Sequence, residues 1–95
     1  MAGYIIARVK VTDPEKYRDY TAVTPGLIAK YGGRFIVRGG ETVTLEGLEE
    51  TGRVVVIEFD SLEQAKAFYE SEEYQAAIKL RAGAATAQFI AVAGV

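Results

Sequence analysis

Residues 31–40, YGGRFIVRGG, place four glycines and two arginines within ten positions, and this segment limits what the chain can fold into. Glycine reaches positive φ without steric penalty, so Gly32 or Gly33 is predicted to end a helix. Gly39 and Gly40 are predicted to form a bulge or a tight turn. A short strand is predicted between the two glycine pairs. Its alternation places three residues on one side: Arg34, Ile36 and Arg38.

Other segments have the period-two pattern or the apolar runs of strands. In residues 41–46 the alternation predicts that Val43 and Leu45 point inward. The run RVVVIEF is nearly continuous in apolar residues, which predicts a central strand with Glu58 as its one charged interior position. The predicted strands outside the glycine-rich segment are residues 4–11, 41–46, 53–59 and 86–95.

A first helix is predicted to begin after Asp13, because a capping carboxylate stands directly before a proline at the first helical position. Pro25 lies within the helical pattern and cannot donate to the carbonyl four residues back. We therefore expect either a kink in this helix or a restart with Thr24 as the cap. The predicted inner face comprises Tyr17, Tyr20, Thr24, Leu27, Ile28 and Tyr31.

A second helix is predicted in two parts. Ser61 and Gln64 have the spacing of a capping box, and Ser71 precedes a further helical segment that ends near Gly83. The predicted inner positions are Leu62, Ala65, Phe68 and Tyr69 in the first part, and Tyr74, Ala77, Ile78 and Arg81 in the second.

The short strand and residues 41–46 count as one strand that bends at Gly39 and Gly40, so the element order is βαββαβ. This order predicts one domain over residues 1–95 with an α+β, ferredoxin-like sandwich fold. Both helices then cover the same face of a four-stranded antiparallel sheet. Apolar residues occur on both sides of the strands, as in Ile5 with Ile6 and Val56 with Ile57. A second copy of the chain is the simplest cover for the other face, so we expect a homodimer.

Composition removes several classes of function. The chain has no Cys and no His, so the usual nucleophiles and soft metal or haem ligands are missing, and no cofactor or metal is expected. A net charge of −2 with scattered basic residues does not favour nucleic acid. No apolar run approaches the roughly 18 residues of a membrane helix. The N-terminal stretch is predicted to be a strand and not a signal peptide, so a cytoplasmic protein is expected.

Several motifs together resemble the DUF1330 family of small bacterial domains. They are the DP after the first strand, YGGRF-VRGG, the LEG that follows, V-IEF before a capped helix, and SEEYQAAIKLRAGA. The resemblance covers nearly the whole chain and implies a dimeric α/β barrel built from two ferredoxin-like units. No activity defines that family. Relatives on the same barrel include cofactor-free monooxygenases, muconolactone-isomerase-like enzymes, haem-handling proteins and ligand-binding domains.

Strand parity predicts that Arg38 and Glu58 lie on the same side of the sheet, together with Arg8, Arg34 and Gln88. One interpretation is a site for an anionic or carbonyl oxygen, in which Arg38 donates a planar fork of hydrogen bonds and Glu58 acts as a base or orients the arginine. The other interpretation is an ion pair that sets the register of two chains at a dimer interface.

Tyr74 and Arg81 lie seven residues apart on one helical face and are predicted to approach the same cleft as Tyr17 and Tyr20 of the first helix. The tyrosines are candidate proton donors or ligand contacts, although packing with the hydroxyl at the rim explains their spacing as well. Glu46 is a further candidate, either as a ligand contact or as the end of a strand before a loop.

Three classes of function follow from these patterns. The first is a cofactor-independent monooxygenase or isomerase for a small substrate, the second is a binding domain for a small anionic or carbonyl-bearing ligand, and the third is a structural dimer without a ligand. A closed apolar pocket with a few converging polar groups distinguishes the first two classes from the third.

Overall fold

Strand and helix patterns combine into an α+β fold, which a computed structural model describes for all 95 residues. The strands form one antiparallel sheet in the order β2-β3-β1-β4. The predicted βαββαβ order with a broken second helix is confirmed. No helix combines the length and the apolar character that crossing a membrane requires. The elements are β1 (Gly3–Val11), α1 (Pro14–Lys30), β2 (Arg34–Arg38), β3 (Arg53–Phe59), α2 (Leu62–Glu70), α3 (Glu72–Ile78), a 3-10 turn (Lys79–Arg81) and β4 (Ala85–Ala93).

The helices begin at the predicted caps, because each capping side chain accepts a hydrogen bond from an otherwise unpaired amide of the first turn. The Asp13 carboxylate accepts from the Lys16 amide at 3.2 Å, and the Ser61 hydroxyl accepts from the Gln64 amide at 3.0 Å. Ser71 ends α2 and also caps α3. The break between the two helices is therefore encoded by that one residue.

Helix α1 continues through Pro25, so the predicted restart at Thr24 is wrong. Thr24 and Ile28, which flank the proline, are both buried against the sheet, and this packing holds the helix together where one backbone hydrogen bond is lost. The helix ends as predicted at Gly32, which has φ +78°, and the Gly33 amide donates to the Ile28 carbonyl at 2.8 Å.

The core lies between the helices and one face of the sheet. Its largest fully buried side chains are Phe59, Phe68 and Tyr74, and the ring of Phe68 lies 5.4 Å from that of Phe59 and 4.6 Å from that of Tyr74. Tyr69 was predicted to face inward but is 36 % exposed. The strand residues on this face that are buried are Ile5, Ala7, Val9, Val55, Ile57 and Phe59.

A bulge interrupts β2 at Ile36. Phe35 pairs with Ile57 of β3, but the next β2 residue in the ladder is Val37, which pairs with Val56. Ile36 is therefore an extra residue, and the side chains after it change faces. The glycine-rich segment does contain a bulge, but it lies three residues before Gly39.

The bulge changes where the two arginines of β2 lie. Arg34 pairs with Glu58 on the open face of the sheet, whereas Arg38 pairs with Val55 and so lies on the face that packs against the helices. The predicted alternation placed both arginines on one side. That prediction is wrong for Arg38, because a single inserted residue reverses strand parity.

Residues 41–46 do not form the predicted strand, and their side chains do not point inward. Val43 is 73 % exposed and Leu45 is 92 % exposed, and Leu48 further along is 97 % exposed. An alternating segment forms a strand only where a neighbouring strand has a free edge for pairing. Residues 41–46 lead into β3, but both edges of β3 are already paired, with β1 and with β2. We call residues 40–50 the arm.

Gly39 requires its glycine and Gly40 does not. Gly39 has φ +69°, and a Cβ added there would lie 3.0 Å from the Arg53 guanidinium carbon, while a Cβ at Gly40 would meet nothing within 4 Å. Gly39→Ala is therefore expected to lower the free energy of unfolding by about 1–3 kcal/mol in urea denaturation. Gly40→Ala is the control and should change it by less than about 0.5 kcal/mol. Equal losses for the two variants would contradict this assignment.

Candidate functional site

A cavity lies between α1 and the helix-facing side of the sheet, with a volume of about 40 Å³. Ten of its fourteen lining residues are hydrophobic when the tyrosines are included, and none carries a carboxylate. The polar side chains that line it are those of Tyr17, Tyr20, Thr21, Thr24, Arg38, Arg53 and Tyr74.

Arg53 is the most unusual of these residues. It is the first residue of β3 and shares strand parity with Val55 and Ile57, so its side chain lies on the helix-facing side. Its Nε atom is buried and has no hydrogen-bond partner. A buried guanidinium donor without an acceptor carries a desolvation cost, and such a group in a native structure points to a strain reservoir or to a role in binding a ligand or ion.

Arg38 lies at the rim of the same cavity. The bulge at Ile36 turns it toward this face, and its guanidinium carbon lies 4.3 Å from the centroid of the Phe35 ring. Because this contact is a cation–π interaction at an exposed position, it holds the guanidinium over the ring without removing it from water. Arg38 therefore remains able to bind a further group.

Two tyrosine hydroxyls meet at the back of the cavity. The Tyr20 and Tyr74 oxygens are 2.5 Å apart, and the Arg81 guanidinium carbon lies 5.2 Å from the Tyr20 ring centroid and 5.4 Å from that of Phe89. The Nε atom of Arg81 is also buried without a partner. Burial, reinforced by the neighbouring Tyr20, raises the pKa of Tyr74, so its hydroxyl keeps its proton at neutral pH.

The cavity has a positive electrostatic character, although the chain as a whole carries a net charge of −2. Burial and the neighbouring Tyr20 raise the pKa of Tyr17, while the positive charges of Arg53 and Arg81 act in the opposite direction. With arginines nearby and no carboxylate in the lining, the cavity is suited to an anion. No group of acidic side chains is arranged to hold a metal ion.

The predicted pair of Arg38 and Glu58 does not form, since the two residues lie on opposite faces of the sheet. Glu58 forms an ion pair with Arg34 and accepts a hydrogen bond from the Tyr4 hydroxyl at 3.0 Å. The prediction that residues on one side of the strands share a sheet face is correct for four of them, which lie on the open face: Arg8, Arg34, Glu58 and Gln88.

Of the other predicted site residues, Tyr20 and Tyr74 line the cavity and Arg81 packs behind them. Glu46 lies in the exposed arm, outside the cavity lining.

Sequence reasoning did not propose Arg53 or Thr21 as site residues. The signal for Arg53 was present, because it stands two and four residues before the buried Val55 and Ile57. Thr21 lies one position after Tyr20 on α1 and had no distinguishing signal, since its contact with the cavity depends on how the helix sits on the sheet.

The fold is that of a ferredoxin-like α+β domain with a cavity between its helices and its sheet. The chain belongs to the family described as "Domain of unknown function (DUF1330)", whose model matches residues 2–95. No curated protein has a matching sequence.

Several solved structures share the fold. A protein of unknown function from Rhodopseudomonas palustris, RPA0582, is 19 % identical, with a TM-score of 0.74 over 99 % of this chain and 82 % of that one. SnoaB, a cofactor-independent oxygenase from Streptomyces nogalater, is 13 % identical, with a TM-score of 0.69 over 99 % of this chain and 93 % of its own. A dimeric ferredoxin-like protein of unknown function from Thermobifida fusca is 16 % identical, with a TM-score of 0.58 over 99 % and 92 %.

The buried hydroxyl of Tyr74 predicts a loss of stability in alkaline solution. Because its pKa is raised above the ordinary value of 10.0, the folded protein keeps this proton at pH values where the unfolded chain releases it. The contribution to stability is therefore complete below about pH 10 and is lost as the pH rises further. Tyr74→Phe should flatten the fall of the urea midpoint above about pH 10, and the exposed Tyr69→Phe should leave it unchanged. Equal slopes for both variants would count against this prediction.

Proposed function

We propose that this protein binds a small organic anion, with a carboxylate or a comparable planar group held in the cavity between α1 and the sheet. The observation that carries the proposal is the Nε atom of Arg53, which is buried without a hydrogen-bond partner in a cavity that contains no carboxylate. A ligand carboxylate would supply the missing acceptor, since two parallel N–H···O bonds match its geometry.

The size of the cavity supports a headgroup of this kind. One water molecule needs roughly 10–15 Å³ on this measure, so a cavity of about 40 Å³ has room for about three atoms of that size. A carboxylate has three heavy atoms. The remainder of the ligand would extend toward the rim, where Phe35 and Arg38 offer an aromatic face and an exposed guanidinium. We therefore favour a small acid with an apolar or aromatic body.

A second candidate is catalysis without a cofactor, as a monooxygenase or an isomerase. The observation that favours it is the Tyr20 and Tyr74 hydroxyl pair, which lines the same cavity and offers protons to a bound oxygen atom. The fold is shared with SnoaB, a cofactor-independent oxygenase, at 13 % identity, and this likeness extends to the fold alone.

We also propose that the protein is a homodimer whose open sheet faces meet. That face carries a band of partly exposed apolar side chains, including Ile90, which is 50 % exposed, and Val92. Four of the charged residues beside the band are paired within the chain, as Arg34 with Glu58 and Arg8 with Glu50, whereas Lys10, exposed toward one end of the same face, has no ion pair. Two such faces can therefore meet with these four charges already neutralised. Dimeric ferredoxin-like proteins from Thermobifida fusca and Bacteroides fragilis support this assembly.

Replacing Arg53 separates a binding role from a structural one. Arg53→Met should abolish binding of small acids such as benzoate and acetate, measured by ligand-detected NMR over a panel of carboxylates. The same variant should keep or increase its thermal stability, because it removes a buried donor that has no partner.

Arg18→Met is the matched control, since it removes one positive charge from an exposed position of α1 that does not line the cavity. It should bind as the unmodified protein does. A loss of stability in Arg53→Met with no acid bound by the unmodified protein would support a structural dimer without a ligand. Oxygen uptake or conversion of a bound acid would favour the catalytic candidate.

Sedimentation of two lysine variants tests the dimer. One variant places the new charge on the open face of the sheet, and the other places it on the helix side. Ile90→Lys, on the open face, should weaken the dimer by about a hundredfold or more, because each of the two copies would bury an unpaired lysine against the other's sheet. Val23→Lys is the control, since Val23 is 41 % exposed on α1, on the opposite side of the sheet. A monomer for the unmodified protein at micromolar concentration would refute the dimer.

A further inference from the structure

The paired hydroxyls of Tyr20 and Tyr74 carry one proton more than the chain accepts. Their oxygens lie 2.5 Å apart, and neither hydroxyl makes another hydrogen bond within the chain. Each phenol has one proton, so whichever hydroxyl donates in the pair, the proton of the other is left without an acceptor. Buried tyrosine hydroxyls normally have a partner, and these side chains are only 6 % and 1 % exposed. Because both line the cavity, the unused proton can point into it.

Arg81 determines which of the two protons is unused. Its guanidinium packs on the face of the Tyr20 ring, with the guanidinium carbon 5.2 Å from the ring centroid. Burial and Tyr20 raise the pKa of Tyr74, while the positive charge of Arg81 acts to lower it, so this charge acts on the Tyr74 hydroxyl as well. A cation attracts lone pairs and repels protons, which turns the Tyr74 proton away from Arg81 and toward the Tyr20 oxygen. Tyr20 is then the acceptor in the pair, and its own proton is the unused one.

The rest of the cavity also has more donors than acceptors. The Nε atom of Arg53 is buried without a partner, and no carboxylate lines the cavity. Arg38, Arg53 and Arg81 take part in none of the three ion pairs of the chain. A group that fits this cavity must therefore accept hydrogen bonds from more than one side.

We propose that Tyr20 is the second residue that binds the ligand, and that its hydroxyl donates to a carboxylate oxygen whose other hydrogen bonds come from Arg53. The inference rests on the proposed function, because it concerns the same bound group. Tyr20 determines specificity in this arrangement. Tyr74 and Arg81 are positioning residues that direct the Tyr20 proton toward the ligand.

The capacity of a carboxylate and the size of the cavity both allow the double contact. A carboxylate has about four lone-pair sites, and two parallel hydrogen bonds from Arg53 use two of them. A cavity of about 40 Å³ holds about three atoms of the size of a water molecule, so a group that fills it lies against the arginine and the tyrosine together. Tyr17 links the two sides, since its ring centroid lies 5.3 Å from that of Tyr20 and its pKa responds to burial, to Tyr20 and to Arg53.

Donors on two sides make the cavity selective for a group in which both heteroatoms accept. A carboxylate meets this requirement, whereas the carboxamide of the same acid presents an N–H group to one of the two donors. Two donors that face each other both lose their hydrogen bonds with water, which weakens binding. The Tyr20 proton has no alternative acceptor to turn to, because its neighbour Tyr74 is itself a donor.

Tyr20→Phe tests the contact, because it keeps the ring and removes the donor. Benzoate should bind about tenfold to a hundredfold more weakly in an NMR titration, which corresponds to one lost hydrogen bond to a charged group. Tyr69→Phe is the matched control, since Tyr69 lies outside the cavity lining, and it should bind as the unmodified protein does. An unchanged affinity for benzoate in Tyr20→Phe would overturn the proposal.

A measurement on the unmodified protein separates a lost contact from altered packing. With tyrosine labelled with carbon-13 at Cζ, the Tyr20 signal should shift when benzoate saturates the protein, and the Tyr69 signal should stay in place. Weak binding by Tyr20→Phe without a shift of the Tyr20 signal would come from packing and would overturn the contact.

Tyr74→Phe tests the positioning role through selectivity. Without the Tyr74 proton, the Tyr20 hydroxyl is free to rotate and to accept from an amide N–H, so benzamide should bind at least threefold more tightly than to the unmodified protein. A structural defect would weaken benzamide binding, and either a weaker or an unchanged affinity would overturn this role.

The two proposals about the cavity fail in different ways. Benzoate binding that is lost in Arg53→Met and kept in Tyr20→Phe would overturn the role of Tyr20 and leave the proposed function intact. An unmodified protein that binds no carboxylate would overturn both.

Discussion

A single physical constraint organises this molecule: one sheet has two faces, and the helices cover only one of them. The helices pack on the sheet through Phe59, Phe68 and Tyr74, which are fully buried, and the ring of Phe68 contacts the rings of the other two. The opposite face keeps its apolar side chains partly exposed. A domain of 95 residues has a limited core, and burying the second face against another copy enlarges that core without lengthening the chain.

The cavity lies where the aromatic cluster gives way to polar side chains, between residues 17–24 of α1 and the sheet. There the sheet side carries Arg38 and Arg53 beside apolar residues such as Phe35, and the bulge at Ile36 is what turns Arg38 toward the helices. Without the bulge, this guanidinium would lie on the open face beside Glu58. A local irregularity in the weakest strand therefore determines which face of the sheet carries the candidate anion site.

The same region shows a conflict between stability and function. The buried Nε atoms of Arg53 and Arg81 have no acceptor within the chain, and a sequence selected only for stability would replace these arginines with apolar side chains. Buried donors of this kind strengthen the binding of an oxygen atom that reaches them, because the local dielectric constant is low. The cost to the empty protein is therefore consistent with the use of the cavity as a binding site.

The sequence by itself determined the element order and the helix caps at Asp13, Ser61 and Ser71. It also determined which side chains share a sheet face in the strands that contain no bulge. These features depend on neighbours a few residues apart, so local patterns are sufficient. Only the tertiary structure decided the position of Arg38 and the fate of residues 41–46. A bulge reverses parity without leaving a pattern in the sequence, and an alternating segment becomes a strand only where an unpaired edge lies within reach. The role of Arg53 likewise depended on which sheet face the helices cover, which is a property of the whole fold.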